Sequence, residues 1–412
     1  MIKILTIPLL VFAFLSCAGE QTVSAPDFGN TSLIGQTSAL SDTIKRRIEG
    51  IYTVEGGDEN FGRTVVAKWN GKFFSFFAGT NSAYVALQGG RLDSTLVFEG
   101  SWRYAQDLNT GLLRLRIDAQ EGGRELSQGM IPSVPVVMRG SFGDGSSQPT
   151  NPIVLRFVRP LSQRSRPFWI IAHRGGGRNS DLLPESENSL GIIQMAEGLG
   201  ANGIEIDIRL TRDGIPIIYH DQNLNPRLVK GEFCIGPIAN YTFAHRRTLS
   251  TLKNGEQIPT LAEALETIVM KTSLSLVWLD IKDDDAIAPV IQLQRQYLQL
   301  AASVGRSVEL LIGLPTPSAL EKYLADSSRG TAPALCELDV ADVRRANAVV
   351  WAPAWTLGPM LQKVTEMHNE GRRVFFWTLD GSEFIKVFLD QSMPDGMVTN
   401  YPSIVAYEYY VR

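Results

Sequence analysis

Cysteine is scarce in this chain, with 3 among 412 residues. So few cysteines in so long a chain exclude a disulfide framework. Basic clusters are missing as well. The 39 Lys and Arg residues are outnumbered by 43 Asp and Glu, the formal net charge is -4, and no dense Lys/Arg block occurs. Nucleic-acid binding therefore has no electrostatic support. The composition is 44% hydrophobic and 20% charged. That balance suits a globular protein with sizeable cores and excludes a disordered one. Domains usually run about 100–200 residues and barrels up to about 250, so the length predicts two domains.

The amino terminus departs from the rest. Met1-Ile-Lys3 precedes the apolar run Ile4 to Leu15, and Ser16-Cys17-Ala18-Gly19 follows. A short positive region, an apolar segment and small residues describe a secretory signal. The apolar run is too short to span a bilayer as a mature helix. Leu15-Ser16-Cys17 resembles a bacterial lipobox. The resemblance implies cleavage after residue 16, a lipid on Cys17, and an exported protein anchored to a membrane. Residues 1–17 are thus expected to form the signal with its lipidated cysteine. Cys234 and Cys336 then either pair or stay as free buried thiols, and free thiols are expected. Residues 18–41, rich in Ser, Thr, Gly and Gln and without periodicity, are expected to be a flexible tether.

Residues 42–161 read as short strands between Gly, Asn and Asp turns, for example "RTVVAKW", "KFFSFFAG", "AYVALQGG" and "STLVFEGSWRY". Several of these runs alternate apolar and polar residues, as half-buried strands do. The pattern predicts an all-β accessory domain, a sandwich or small barrel. It contains no cluster of His, Cys or carboxylates. The aromatics Trp69, Phe73, Phe74, Phe76, Phe77, Trp102 and Tyr104 either form core and cross-strand pairs or line a groove for an unassigned ligand.

A linker-like "PLSQRSRPFW" (160–169) separates this region from a different pattern. From about residue 166 to 412, strand-like runs alternate with helix-like ones: "FWIIAH", "ENSLGIIQMAEGLG", "GIEIDIRL", "GIPIIYH", "TLAEALETIVM", "LSLVWLDIK" and onward. Alternation over that length predicts a parallel α/β fold of TIM-barrel size.

Polar residues then gather at predicted strand ends. "IIAHRGGG" ends an apolar strand in His173 and Arg174, and "IIYHD" ends another in His220 and Asp221. "GIEIDIRL" carries Glu205 and Asp207, and "VWLDIKDD" carries Asp280 and Lys282. Residues two apart on a strand share a face. Two carboxylates side by side in a buried strand repel each other and suffer desolvation, and a divalent cation between them removes both costs. With two of the chain's 4 histidines at apolar strand ends, the pattern predicts an acid/base site with a metal.

In order, the motifs "HRGG", "PESENS", "GIEIDIRLTRDGIPIIYHDQNLNP", "IPTLAEAL", "LDIK", "WTLD" and "DGMVTNYP" resemble the glycerophosphodiester phosphodiesterase family from about Phe168 to the carboxyl end. The resemblance implies a TIM barrel that hydrolyses glycerophosphodiesters to glycerol 3-phosphate and an alcohol. It implies His173 and His220 as the catalytic acid/base pair, and Arg174, Lys282 and Trp377 as phosphate- and glycerol-binding residues. It implies Glu205, Asp207 and Asp280 as ligands of one divalent metal ion. Calcium is the expected ion and magnesium the alternative, both being oxygen-seeking. The resemblance implies that the substrate's own glycerol hydroxyl attacks phosphorus, one histidine taking its proton and the other protonating the leaving alcohol, and that water then opens the resulting cyclic phosphate. Two features depart from the family pattern. Asp280 stands where glutamate is usual, and the loop "GGGRNSDLLPESENS" is longer than the compact form, with Glu187-Asn188 aligned to its "EN" element and Glu185 competing for that place. Two rival readings remain: a lysophospholipase D or sphingomyelinase-D-like phosphodiesterase, and a non-catalytic surface protein binding lipid or glycan.

Overall fold

A computed structural model describes residues 23–231, 235–330 and 332–412. The signal region with Cys17, and Cys234, lie outside the described residues. Cys336 is free and buried, and burial pushes its thiol up to about 11.

The accessory region is a barrel, not a sandwich. Eight antiparallel strands, from Gly50–Glu55 to Asn151–Arg159, each pair with the next, and the last closes on the first. Closure leaves no unpaired sheet edge. The interior is packed with Phe74, Phe76, Phe98, Trp102 and Leu113. Most of these aromatics pack against one another, as where Trp69 stacks on Phe74 at 4.9 Å and Trp102 lies 5.3 Å from Tyr104, whereas Phe73 faces a space between the two barrels.

The stretch expected to be a tether differs from Phe28 onward. Two 3-10 turns (Gly29–Thr31, Ile34–Gln36) lie against the barrel, and Asp42–Ile48, expected to be β-like, is a helix capped by Ser41. The cause is local. Glu99, buried in the barrel wall beside Arg114, accepts from Ser32 Oγ at 2.8 Å and the Leu33 amide at 2.9 Å. Phe28 lies against the Arg114 guanidinium at 4.5 Å, and Leu40, Ile44 and Ile48 bury their side chains in the core cluster of the barrel. A polar composition read as flexible is held by one buried acceptor and a few apolar anchors.

The carboxyl-terminal part is a parallel eight-stranded barrel. Its strands are Trp169–Ala172, Gly203–Leu210, Leu276–Ile281, Glu309–Leu314, Ala334–Cys336, Val350–Trp351, Arg373–Phe376 and Gly396–Thr399. The ring closes where Gly203–Leu210 pairs with Trp169–Ala172. Helices follow the strands, among them Leu261–Lys271, Ile287–Ser303 and Pro402–Tyr410. One expected parallel strand differs. Pro216–Ile218, from "GIPIIYH", pairs antiparallel with Gly203–Leu210. The Thr211–Ile215 turn folds it back, Thr211 Oγ1 donating to Asp213 and accepting from the Ile215 amide. This hairpin returns the chain to the barrel mouth at His220. A small satellite core around Tyr219, Leu228, Ile238 and Leu252 then builds the insertion.

The two barrels share one apolar core. Ile51, Val66, Phe77 and Tyr84 of the first belong to the same cluster as Leu199, Ile204 and Ala406 of the second. Gly200, at φ +101, lets Phe77 approach so closely that a Cβ there would meet its ring at 2.7 Å. Ser75 Oγ donates to the Gly198 carbonyl at 3.0 Å across the same boundary. Removing the fully buried Phe77 ring should therefore strain both barrels. Phe77→Ala is expected to lower the unfolding free energy by about 3–5 kcal/mol in urea denaturation. A loss within experimental error would mean that the barrels do not depend on this contact.

Candidate active site

Barrel alternation places the acidic residues inward at the carboxyl ends of the strands. Gly203–Leu210 is buried through Ile208, with the isoleucines at 204, 206 and 208 on the helix-packing side. Glu205 and Asp207 take the opposite, inward face. Glu205 lies level with Trp278, and Asp207 is level with Asp280 on the neighbouring strand. Glu205, Asp207 and Asp280 each offer a carboxylate oxygen within 4.8 Å of the others. All three residues are buried, Asp207 completely.

The donor set fits a divalent cation. Glu205 Oε1 and Asp280 Oδ1 are buried without a hydrogen-bond partner among the described residues. Asp207 Oδ1 sees Lys282 Nζ at 3.1 Å but off hydrogen-bonding geometry. The electrostatics show the crowding. Burial, then the charges of Asp207 and Asp280, push the Glu205 carboxyl well up. Burial also raises Asp280, with Lys282 opposing it and Asp207 adding to it. Burial works against ionisation of Asp207 too, but Lys282, His220 and His173 outweigh it and hold that carboxyl below its usual range. Lys282 donates to Asp280 Oδ2 at 2.6 Å, and burial of its ammonium is overcome by the three carboxylates, which hold it protonated. Hard oxygen donors and unspent buried lone pairs are what calcium or magnesium ligation requires.

Both histidines flank this cluster, and each has one ring nitrogen tied down. His173 Nδ1 lies 2.7 Å from Asn400 Oδ1, and its Nε2 is 3.8 Å from Glu205. Asn400 is in turn held by Asp380, its side-chain amide donating at 2.7 Å. Burial, followed by the Arg174 charge, pushes the His173 imidazole down to about 4. His220 Nδ1 lies 2.6 Å from Asp221 Oδ1. Desolvation opposes the Asp221 charge, but Arg227, His220 and Asn225 prevail and keep its carboxyl low. Each histidine therefore has a fixed ring orientation with Nε2 left for chemistry.

Arg174 sits in the left-handed region at φ +53. That turn brings its amide to 2.8 Å from Glu205 Oε2, while its Nη1 donates to Glu187 Oε1 at 2.8 Å. Its Nε is buried and without a partner among the described residues. Glu187 is also met by Arg227 at 3.2 Å. Glu187, not Glu185, thus faces the site, and Glu185 instead lies against Gly191 and Glu256. The following residue, Asn188, donates to Asp207 Oδ2 at 2.8 Å and accepts from the Asp207 amide at 3.3 Å. Trp377 belongs to the barrel-interior wall, its indole donating to the Ala352 carbonyl at 2.8 Å.

The structure therefore brings His173, Arg174, Glu205, Asp207, His220, Asp280 and Lys282 to one mouth, with Trp377 in the wall. Sequence reasoning did not assign the orienting groups Asn188, Asn400, Asp221 and Arg227. Three of these were inside quoted motifs, where adjacency to the histidines or to strand ends was the available signal. It also missed Glu337, which follows the strand Ala334–Cys336. Its Oε1 is buried and unpartnered among the described residues. Burial and then Asp280 push its carboxyl up. Two residues beyond inward-facing Leu335, it shares the face of the barrel interior, but nothing in "ALCELD" distinguishes it from a surface acid.

A family model described as the glycerophosphoryl diester phosphodiesterase family matches residues 173–404. A glycerophosphodiester phosphodiesterase from Caldanaerobacter subterraneus subsp. tengcongensis is 28% identical over 251 residues, covering 57% of this chain and 94% of the relative. Mouse glycerophosphodiester phosphodiesterase 1 is 34% identical over 155 residues, covering 35% of this chain and 43% of the mouse protein. The chain thus spans less than half the length of that mammalian relative. A solved Oleispira antarctica phosphodiesterase in complex with the product sn-glycerol-3-phosphate is similar at 22% identity and a TM-score of 0.48, covering 58% of this chain and 95% of that one.

Asn188 fixes one oxygen of Asp207 and leaves the other for an ion. Asn188→Ala is expected to weaken divalent-cation binding about 10- to 100-fold in calorimetric titration. An unchanged affinity would remove Asn188 from the support of the site.

Proposed function

The chain belongs to the glycerophosphoryl diester phosphodiesterase family, and from this we propose that it hydrolyses glycerophosphodiesters to glycerol 3-phosphate and an alcohol. The observation that carries the reading is the meeting of two oriented histidines and three carboxylates, each with one oxygen unpartnered among the described residues, at one barrel mouth. Glu205, Asp207 and Asp280 would hold one divalent ion, calcium in the first instance and magnesium as the alternative. When bound, such an ion supplies Lewis-acid stabilisation of the charge on the phosphodiester.

The protein's own groups do the rest. Arg174, braced through Nη1 by Glu187, has its buried Nε left to donate to a phosphate oxygen. Lys282 adds a second positive charge at the carboxylates. His173 is held neutral by burial above about pH 4, which suits Nε2 to take a proton from the attacking hydroxyl. His220, aligned by Asp221, is then the group placed to protonate the leaving oxygen, and water would open the cyclic phosphate so formed to give glycerol 3-phosphate. General acid and base catalysis of this kind contributes about 10²–10⁴-fold each. Trp377 presents an apolar wall for the glycerol carbons. The signal-like residues 1–17 add export and a lipid anchor on Cys17 to the proposal.

The deciding experiment is release of glycerol 3-phosphate from glycerophosphocholine by the chain lacking residues 1–22. It would be run with calcium, with magnesium and with chelator. Metal-dependent release is expected, lowered about 10²–10⁴-fold in His173→Ala and in His220→Ala. Release that survives chelator or either substitution would overturn the two-histidine, metal-dependent reading.

A further inference from the structure

A cavity of about 150 Å³ lies between the two barrels, away from the mouth of the second. Its floor is the outer face of the amino-terminal barrel, with Phe73, Tyr84 and Ala86, and its roof includes Met195 and Leu199. Into this mostly apolar space reaches Arg103, a residue only 5% exposed. Its Nη2 donates to the Asp181 carbonyl at 3.2 Å. Its Nε is buried and has no hydrogen-bond partner among the described residues. Among those residues no carboxylate makes an ion pair with it.

A guanidinium shielded from water is costly unless a counter-charge meets it. A carbonyl offers a partial charge only, and it engages one of five N–H donors. The cavity supplies room beside the cation for an apolar body of roughly benzene size, since a hole of about 150 Å³ takes benzene. Ser101 adds a hydroxyl on the same wall. The burial of the cation and its unspent donor select an anion, and the apolar lining selects a carbon body. Inorganic phosphate satisfies the first demand alone, and an alkylammonium the second alone.

We infer that this interdomain cavity is a binding site for a small organic anion, its charge held by Arg103 and its apolar body enclosed between the barrels. The site is distinct from the barrel mouth and gives the accessory barrel a binding role on its outer face. The same guanidinium touches Asp181, whose carboxylate ties Arg178, in the loop that carries Glu187, to Tyr401 beyond the last barrel strand.

Calorimetric titration of the chain lacking residues 1–22, in chelator, tests this with three probes: hexanoate, hexyltrimethylammonium and inorganic phosphate. Hexanoate is expected to bind one-to-one and at least tenfold more tightly than either of the others. Arg103→Met should weaken hexanoate at least tenfold. Ala86→Leu, which keeps the cation and fills the space, should do the same, and it decides the matter if Arg103→Met does not fold. His220→Ala should leave hexanoate affinity unchanged, so failure of the phosphodiesterase reading leaves this one standing. Absence of hexanoate binding, or equal affinity in wild type and both cavity variants, overturns the site. Phosphate binding as tightly as hexanoate overturns the apolar part of the assignment.

Discussion

Three carboxylates and an ammonium packed into the mouth of a parallel barrel set the terms for everything around them. In the low-dielectric interior, like charges a few ångströms apart oppose ionisation, while one lysine and two histidines favour it. The raised Glu205 and Asp280 and the lowered Asp207 express that conflict. The arrangement survives because the barrel holds the strands in register and the surrounding loops supply hydrogen bonds only to selected oxygens. Asn188 takes one oxygen of Asp207 and the Arg174 amide takes one of Glu205. What they leave unpaired is what a cation would complete.

The same logic runs outward through the supporting residues. Asn400 and Asp221 orient the histidines, and Asp380 and Arg227 in turn hold those orienters. Glu187 is shared between Arg174 and Arg227, and Arg227 also holds Asp221, so the Arg174 and His220 sides of the site belong to one network. Charged groups arranged this way resist independent movement, because displacing one strands another's charge in the interior.

The accessory barrel joins this framework through packing. Phe77 and Tyr84 extend the apolar core of the second barrel, and Arg103 reaches the Asp181 carbonyl. A contact surface formed by continuous core is harder to slide than a polar interface. The loop bearing Glu187 therefore has support from both barrels.

The strand–helix alternation after residue 166 and the i, i+2 carboxylates specified a parallel barrel with an inward acidic pair, because strand periodicity is local and burial follows from it. Histidines at apolar strand ends were legible for the same reason. The short alternating strands before residue 161 specified an all-β domain but left sandwich and barrel open, since closure is a pairing between the first and last strands that no local pattern records. The antiparallel return of Pro216–Ile218 depended on a turn, and the docking of Ser32 and Leu33 on a buried Glu99 at sequence separations of 67 and 66. Glu337, Asn400 and Arg103 acquired meaning only when distant strands met, for burial and counter-charge are properties of the assembled space. The order of chemical groups along the chain was thus the sequence's to determine. Tertiary structure alone decided which of them share an environment, because desolvation and electrostatic coupling act through distance in space.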